Sequence, residues 1–309
     1  MAIQSIRKEY GKYIAELGQR DKRIVALDGD LNESTQSIVF KQKIPERYFE
    51  MGIAEQNMVG VAAGLATCGK IPIAHSFAAF VSMRSLEQVR TTVSYPKLNV
   101  KFLVTHAGVS AGSAGATHHA IEDLSIMRTV PYMTVLVPGD VIEMKRIVDA
   151  ALEYEGPVYI RLAKEDVEPV FDESYTFEIG KATVAHPGDD GTIVTTGSTI
   201  TLAMNAAELL ENEYGKSARV VHCASLKPFD KECIQKAAKE TGKLLTVEEH
   251  SIIGGLGSAV SEVIAEIGVG KVKRIGIQDH FCAVGSTGYI YEKEGITVEN
   301  IVNTMLHFN

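Results

Sequence analysis

Short apolar runs alternate with longer amphipathic stretches along the first half of the chain. The short runs are rich in Val, Ile and Phe and are mostly bounded by Gly, Pro or Asp, which is typical of β-strands. They read RIVALDGD (23–30), IPIAHSF (71–77), VKFLVTHAG (100–108), MTVLVPG (133–139) and PVYIRLA (157–163). Helical periodicity falls at residues 1–18, 55–67, 79–93, 119–127 and 139–153. Strands that are apolar on both faces, with helices between them, predict a parallel sheet in a doubly wound α/β layer.

The pattern changes after Lys164. The following segment, EDVEPVFDESYTFEIGKATVAHPGDDG, is acidic and rich in turn residues, so residues 169–190 are predicted to be a linker. A second series follows, with strands at 191–198, 217–225, 243–250 and 272–279 and helices at 199–214, 230–240, 254–267 and 297–306. The expected fold class is therefore α/β with two doubly wound domains, at 1–168 and 191–309.

Composition and charge narrow the class of protein. The chain has 309 residues, 45% hydrophobic and 23% charged, which is usual for a globular protein of about two domains. Its net charge of -8 gives no basic stripe for nucleic acid. The N-terminus has no signal-peptide core, no apolar run reaches the roughly 18 residues that span a membrane, and the four cysteines lack paired spacing. We expect a cytoplasmic protein with reduced thiols and neither nucleic-acid nor membrane partners.

Polar residues cluster where four of the predicted strands end. The clusters are LDGDLNEST (27–35), HSFAAF (75–80), THAGVSAGSAGATHH (105–119) and RLAKE (161–165). The carboxyl ends of parallel strands meet at one edge of a sheet, where ligands bind in such folds. A single ligand could therefore touch all four clusters, although strand-end loops are polar in inert proteins too.

Glu55 stands at the head of a run from Met58 to Ala66 that contains only small and apolar residues. Such a run packs closely against a neighbour, so the carboxylate before it should be partly dehydrated. Taken alone, Glu55 is compatible with a helix-start carboxylate attracted to the amide dipole. The pair Phe77 and Phe80, at helical spacing, is equally compatible with a hydrophobic core.

Read in order, five segments resemble the C-terminal half of transketolase, a thiamine-diphosphate enzyme. They are DGDLNEST, GIAEQNMVGVAAGLA, SFAAFVSMRSLEQVR, THAGVSAGSAGATHHAIEDLSIMRTVP and EEHSIIGGLGSAV, and the resemblance runs from about residue 6 to about residue 301. IAEQN followed by SFAAF at this spacing is a specific signal for thiamine-diphosphate enzymes, whereas GGLG alone could belong to any tight loop. The resemblance implies a pyrimidine-binding domain followed by a transketolase C-terminal domain. It also implies transfer of a two-carbon ketol unit from a ketose to an aldose phosphate.

The resemblance assigns cofactor-binding residues. Glu55 matches the carboxyl group that hydrogen-bonds a pyrimidine ring nitrogen and so favours the imino tautomer, which removes the proton from the thiazolium C2. Burial disfavours a bare carboxylate, so the proton is shared with the ring. Phe80 would stack on the pyrimidine with Phe77 beside it. Asp30 and Leu31 match positions that line the cofactor.

Substrate-binding residues are implied in the same way. His106 and His118 match histidines that bracket the sugar chain and exchange protons with its hydroxyls. Ser34 matches a serine that binds the phosphate of the acceptor. Lys164 lies where the family usually has arginine, so the charge is kept but the bidentate fork is lost. We expect nearby Arg161 to compensate.

Two departures from the family pattern bear on substrate and partner. Ser113 and Ala114 stand where many transketolases have an acidic Glu-Asp pair, whose aspartate contacts the C2 hydroxyl of the acceptor; branched or modified sugar phosphates are therefore plausible substrates. The chain also lacks the Gly-Asp-Gly segment that binds Mg²⁺, since LDGDLN (27–32) has the letters shifted. We assign no metal ligand to this chain and expect a separate N-terminal half subunit to hold Mg²⁺ and the diphosphate. Pairing of two such C-terminal chains would then give a heterotetramer.

Three alternatives remain at this point. The β subunit of a 2-oxo acid dehydrogenase E1 component has similar length and also carries GIAEQ, but GATHHAIEDLSIMRTVP fits the transketolase sugar site better. Deoxyxylulose-phosphate synthase normally carries both halves on one chain. A non-catalytic paralogue could keep the fold without activity, although a scaffold has no need of Glu55, Phe80, His106 and His118 together.

Overall fold

The chain builds two α/β layers around separate sheets, and the computed structural model describes residues 3–308. The strands are β1 (Gln4–Ser5), β2 (Ile24–Asp28), β3 (Tyr48–Glu50), β4 (Ile71–Phe77), β5 (Lys101–Thr105), β6 (Thr134–Leu136), β7 (Val158–Arg161), β8 (Asp166–Val167), β9 (Thr183–His186), β10 (Gly191–Thr195), β11 (Ala218–His222), β12 (Ser225–Lys227), β13 (Lys243–Ser251) and β14 (Lys271–Ile277). The α-helices are α1 (Ile6–Arg20), α2 (Asn32–Thr35), α3 (Ile38–Lys43), α4 (Glu55–Thr67), α5 (Leu86–Gln88), α6 (Asp123–Thr129), α7 (Val141–Glu153), α8 (Thr199–Tyr214), α9 (Lys231–Thr241), α10 (Leu256–Ile267), α11 (Thr287–Glu294) and α12 (Val298–Leu306).

The first sheet has seven strands in the order β12-β6-β7-β5-β4-β2-β3. All neighbours are parallel except β12, which runs antiparallel to β6. Successive residues of β2 enter different cores: Val25 and Leu27 pack with α4 and α6, while Ile24 and Ala26 pack with α1, α3 and α7. Helices therefore cover both faces, which explains why the central strands are apolar throughout.

The second sheet has five strands in the order β14-β13-β10-β11-β9, parallel except for β9. Strand β9 lies inside the segment predicted to be a linker, and its edge position explains the weak apolar pattern. Strand β12, in the second half of the sequence, pairs with the edge of the first sheet, where Ser225 faces Leu136. The predicted α/β class with two doubly wound layers is confirmed, and the bounds 1–168 and 191–309 stay a prediction.

Local structure follows the pattern closely, with one irregular region. The helix predicted at 1–18 begins at Ile6, residues 1 and 2 lying outside the described part. The helix predicted at 79–93 is instead the short α5 between π-helical turns at Phe80–Arg84 and Val89–Ser94. Two serine hydroxyls there bond to the carbonyl oxygens four residues earlier, at 2.7 and 2.9 Å, which loosens regular helix. Within residues 3–308, no helix combines the length and the apolar character needed to cross a bilayer.

Candidate active site at the strand ends of the first sheet

The four polar clusters meet at one edge of the first sheet. Strands β7, β5, β4 and β2 are neighbours, so their carboxyl ends lie side by side. Each of the last residues, Arg161, Thr105, Phe77 and Asp28, is buried at that edge. The topology thus brings together loops that are more than 100 residues apart in sequence.

Two phenylalanines and two histidines from different motifs form one cluster. The ring centroids of Phe77 and Phe80 are 5.6 Å apart, with the planes 29° from parallel. The imidazole of His106 lies 4.0 Å from the Phe77 ring, and that of His118 meets the Phe80 ring edge-on at 5.2 Å. The cluster combines an aromatic surface with two groups able to exchange protons.

His106 is held in a constrained position. Its backbone adopts φ +60°, a conformation that non-glycine residues rarely take. The side chain is 6% exposed, with Nδ1 3.1 Å from the Thr105 hydroxyl. Burial, with smaller contributions from the charges of Arg7, Lys164 and His118, lowers the pKa of His106 to about 3. The imidazole is therefore neutral near pH 7 and can accept a proton or a hydrogen bond.

Glu55 is the first residue of α4 and is only 1% exposed. Its Oε1 atom accepts a hydrogen bond from Arg84 Nη1 at 2.8 Å, while Oε2 has no hydrogen-bond partner among residues 3–308. The Arg84 guanidinium carbon lies 4.2 Å over the Phe80 ring and so links Glu55 to the aromatic cluster. Burying a carboxylate oxygen without a hydrogen bond costs free energy. Oε2 is therefore a candidate acceptor for a donor from a ligand.

The loop after β2 is fixed by a buried aspartate. The Asp28 carboxylate accepts the Leu31 amide at 2.6 Å and two hydroxyls of the same loop at 2.7 and 2.8 Å. Burial raises the pKa of Asp28 to about 6. Asp30 is exposed, with φ +66°, and Leu31 is partly buried. The two residues predicted to line the cofactor therefore sit on a preorganised turn.

Arg7 joins Ser34 to Lys164 and was missed by sequence reasoning. From α1, its guanidinium donates to the carbonyl oxygens of both residues, with Nε 3.3 Å from that of Lys164. Lys164 is partly buried, and its ammonium makes no ion pair within the described residues. The charges of Arg7 and Lys164 both lie close enough to His106 to lower its pKa. Nothing in SIRKEYG pointed to this role, because it depends on how α1 docks.

Arg161 is buried at the junction of the two domains. Its guanidinium is 3% exposed and bonds Asp123 Oδ2 at 2.8 Å. The same group donates to the carbonyl oxygens of Ala120 at 3.1 Å and Glu249 at 3.0 Å. The ion pair with Asp123 lies within the first domain, and the bond to Glu249 joins the two domains. The phosphate contact expected of Arg161 stays a prediction.

The turn that carries Ser113 and Ala114 borders a cavity of about 580 Å³. Both residues are exposed on a 3₁₀ turn, Gly112–Ala114. The cavity is lined by Gly112, Ser113, Lys164 and Glu165 from the first domain and by Gly285, Ser286, Thr287, Gly288 and Tyr291 from the second. Thr287 Oγ1 donates to Glu165 Oε1 at 2.7 Å and fixes this junction. The second domain, to which no site residue was assigned, therefore lies beside the ammonium of Lys164.

One face of α4 is left uncovered in the single chain. Gln56, Asn57, Gly60 and Gly64 are exposed, whereas Met58, Val59, Ala62 and Ala63 are buried. A Cβ added at Gly60 or Gly64 would meet nothing within 4 Å. Glycine in a helix costs about 1 kcal/mol relative to alanine, so two of them on an open face indicate a surface made for close approach of another backbone.

Comparison with known protein families gives two matches that together cover nearly the whole chain. The family described as "Transketolase, pyrimidine binding domain" matches residues 3–169. The family described as "Transketolase, C-terminal domain" matches residues 180–301. The predicted order of a pyrimidine-binding domain followed by a C-terminal domain is confirmed.

Several relatives are similar over nearly their full length. A putative transketolase C-terminal section from Methanocaldococcus jannaschii is 45% identical, over 98% of this chain and 96% of the relative. A 6-deoxy-6-sulfo-D-fructose transketolase subunit from Clostridium sp. MSTE9 is 42% identical, over 96% of this chain and 92% of the relative. A solved split-gene transketolase, described as an inactive β4 tetramer, is 47% identical with a TM-score of 0.90, over 98% of this chain and 97% of that one.

Proposed function

The chain belongs to the transketolase family as a C-terminal half, and on that premise we propose that it is the C-terminal subunit of a thiamine-diphosphate-dependent split transketolase. The reaction we propose is transfer of a two-carbon ketol unit from a ketose to an aldose phosphate. The observation that carries the proposal is the buried Oε2 of Glu55, which has no hydrogen-bond partner among residues 3–308, on a carboxylate that Arg84 links to the cluster of Phe77, Phe80 and the two histidines.

The residues present fit the aminopyrimidine end of the cofactor. Glu55 supplies an acceptor oxygen that no group of residues 3–308 uses, and Phe80 supplies an aromatic face on the other side of Arg84. When bound, thiamine diphosphate supplies the carbanion chemistry of ketol transfer. Glu55 would hold the proton that the ring nitrogen needs, and Asp30 and Leu31 would line the cofactor from the loop after β2.

The histidines and the basic groups suit a sugar phosphate. His106 is neutral near pH 7 because its pKa is lowered to about 3, so it would meet a substrate hydroxyl as an uncharged hydrogen-bonding group. His118, at the edge of the Phe80 ring, would act on a neighbouring hydroxyl. Lys164 and Arg7 would bind the phosphate as charges, with Ser34 donating a hydroxyl.

The acceptor pocket is expected to tolerate an unusual sugar. Ser113 and Ala114 present no carboxylate to a C2 hydroxyl, and the cavity beside them is roomy. Two relatives are named for unusual sugars. One is the 6-deoxy-6-sulfo-D-fructose transketolase subunit; the other, from Phocaeicola vulgatus, is named for apulose 4-phosphate and is 40% identical, over 98% of this chain and 96% of the relative. We propose a branched or modified sugar phosphate as the acceptor.

A partner subunit completes the site in this proposal. Helix α4, whose open face carries Gly60 and Gly64, begins at Glu55, so a chain docked on that face would lie next to the cofactor. No group of three or more Asp, Glu, His or Cys side chains suited to a metal occurs among residues 3–308. We assign Mg²⁺ and the diphosphate to an N-terminal half subunit, and we propose a cytoplasmic heterotetramer in which two copies of this chain meet.

Calorimetric titration of thiamine diphosphate with Mg²⁺ tests the proposal. The cofactor is added to this chain alone, to the N-terminal half alone and to the co-expressed pair. Binding confined to the pair, together with ketol transfer to a sugar phosphate, is the expected result. Tight binding by this chain alone would refute the shared site, and a pair that binds cofactor without ketol transfer would refute the reaction.

A further inference from the structure

The Arg84 side chain contacts both groups that the proposed function gives to the aminopyrimidine: it covers the Phe80 ring, and it bonds the Glu55 carboxylate through Oε1, which leaves Oε2 without a partner among residues 3–308. Its Nη1 atom donates to Glu55 Oε1 at 2.8 Å. Its guanidinium plane lies over the Phe80 ring, with 4.2 Å between the central carbon and the ring centroid. A planar, nitrogen-bearing group that pairs with the carboxylate and covers the aromatic face resembles the edge and face of an aminopyrimidine.

The need for such a group follows from the burial of Glu55. A carboxylate that is 1% exposed loses its hydration, and Oε2 already lacks a partner among the described residues. An unpaired buried charge is strongly destabilising. The Arg84 ion pair offsets that cost in the chain without cofactor, and it does so with a side chain that is 47% exposed.

The position of the Arg84 side chain also allows it to move away from Glu55 and Phe80. Arg84 ends the π-helical turn Phe80–Arg84, and the exposed half of its side chain has solvent to move into. In the proposed function the aminopyrimidine stacks on Phe80, and the guanidinium lies over that same ring. Arg84 therefore has to move away from the Phe80 face when the cofactor binds.

We propose that Arg84 is an internal placeholder for the aminopyrimidine, which stabilises Glu55 and Phe80 in the free subunit and is displaced when the cofactor binds. The proposal rests on the proposed thiamine-diphosphate site. It makes Arg84 a positioning residue with opposite effects in two states: its removal destabilises the free chain but strengthens cofactor binding.

The experiment combines thermal unfolding of the free chain with cofactor calorimetry on the assembled pair. The variants are Arg84→Ala, Arg84→Lys, which keeps a charge for Glu55, and Arg90→Ala as the matched control. Arg90 lies on the same helical segment, is exposed and makes no ion pair within the described part of the chain. In the free chain, Glu55→Gln combined with Arg84→Ala should recover stability, because no buried charge is then left unpaired.

We expect Arg84→Ala to lower the melting temperature of the free chain, and Arg84→Lys to lower it less. In the assembled pair, Arg84→Ala should tighten the Kd of thiamine diphosphate about tenfold if the paired state holds about nine-tenths of the population. Arg90→Ala should change neither quantity. An unchanged or weaker Kd in Arg84→Ala would overturn the placeholder while the wild-type pair still bound cofactor. A wild-type pair that bound no cofactor would instead overturn the proposed function and the placeholder with it.

Discussion

Arg161→Met should destabilise the chain by several kcal/mol, because it removes the cation from a fully buried ion pair. Arg161 is 3% exposed, and Asp123 is 1% exposed. The substitution deletes the 2.8 Å bond to Asp123 and the bonds to two carbonyl oxygens, one of them in β13. Among residues 3–308, Asp123 would then keep the bond from the Tyr159 hydroxyl, at 2.8 Å.

Breaking a buried pair by removing one partner costs about 3–5 kcal/mol. For a chain of this size, the melting temperature falls by about 2–4 °C per kcal/mol, so a decrease of roughly 10 °C is expected. The control is Arg146→Met, since Arg146 pairs with Glu173 at 3.2 Å on the surface, where such pairs contribute about 1 kcal/mol or less. Adding Asp123→Leu to Arg161→Met should recover part of the loss, because no buried charge then remains.

Urea denaturation followed by fluorescence and by circular dichroism measures these differences. The reasoning would be refuted if Arg161→Met lost no more stability than Arg146→Met. It would also be refuted if the double variant were less stable than Arg161→Met by the full cost of a second, independent mutation.

Three further outcomes are expected. Glu55→Gln should leave the assembled enzyme folded but lower kcat at least about 100-fold, because the acid opposite the ring nitrogen is lost; wild-type turnover would contradict the role. Ala114→Asp should raise kcat/KM for acceptors with an R-configured C2 hydroxyl relative to other acceptors, and unchanged ratios in a competition assay would remove the stereochemical argument. Burial raises the pKa of Glu248 to about 7, above its usual value, so the folded state binds the extra proton and the stability from this group is lost as pH rises from about 4.5 to 7. Against Glu248→Gln, the wild type should lose roughly 2–3 kcal/mol over that range in urea titrations, and parallel pH profiles would exclude this contribution.

Sequence patterns predicted the parts of the site that are set by local order. The run from Met58 to Ala66 placed Glu55 at a buried helix start, and the helix begins at that residue. Phe77 ends one strand that the apolar pattern identified and His106 follows another, and the parallel pairing of the two strands brings these ends together. Periodicity, strand ends and motif order were sufficient to predict where these three residues lie.

The sequence did not predict which charged groups contact each other in the fold. Arg161 is 38 residues from Asp123 and 88 from Glu249, so the packing of α6 near β7 and the docking of the second domain decide which groups its guanidinium contacts. Arg7 is drawn to Ser34 and Lys164 by the position of α1 against the sheet. The sequence shows these charges but not which ones share a low-dielectric space.

Strand β12 makes the folding of the first domain depend on the second half of the chain. Strand β6 is buried along its whole length, and β12 covers the backbone groups that would otherwise form the open edge of the first sheet. A chain truncated near residue 190 would therefore expose unpaired amides and carbonyls beside apolar side chains, which is a template for aggregation. We therefore expect that the first domain does not fold by itself and that the two halves unfold in a single cooperative transition.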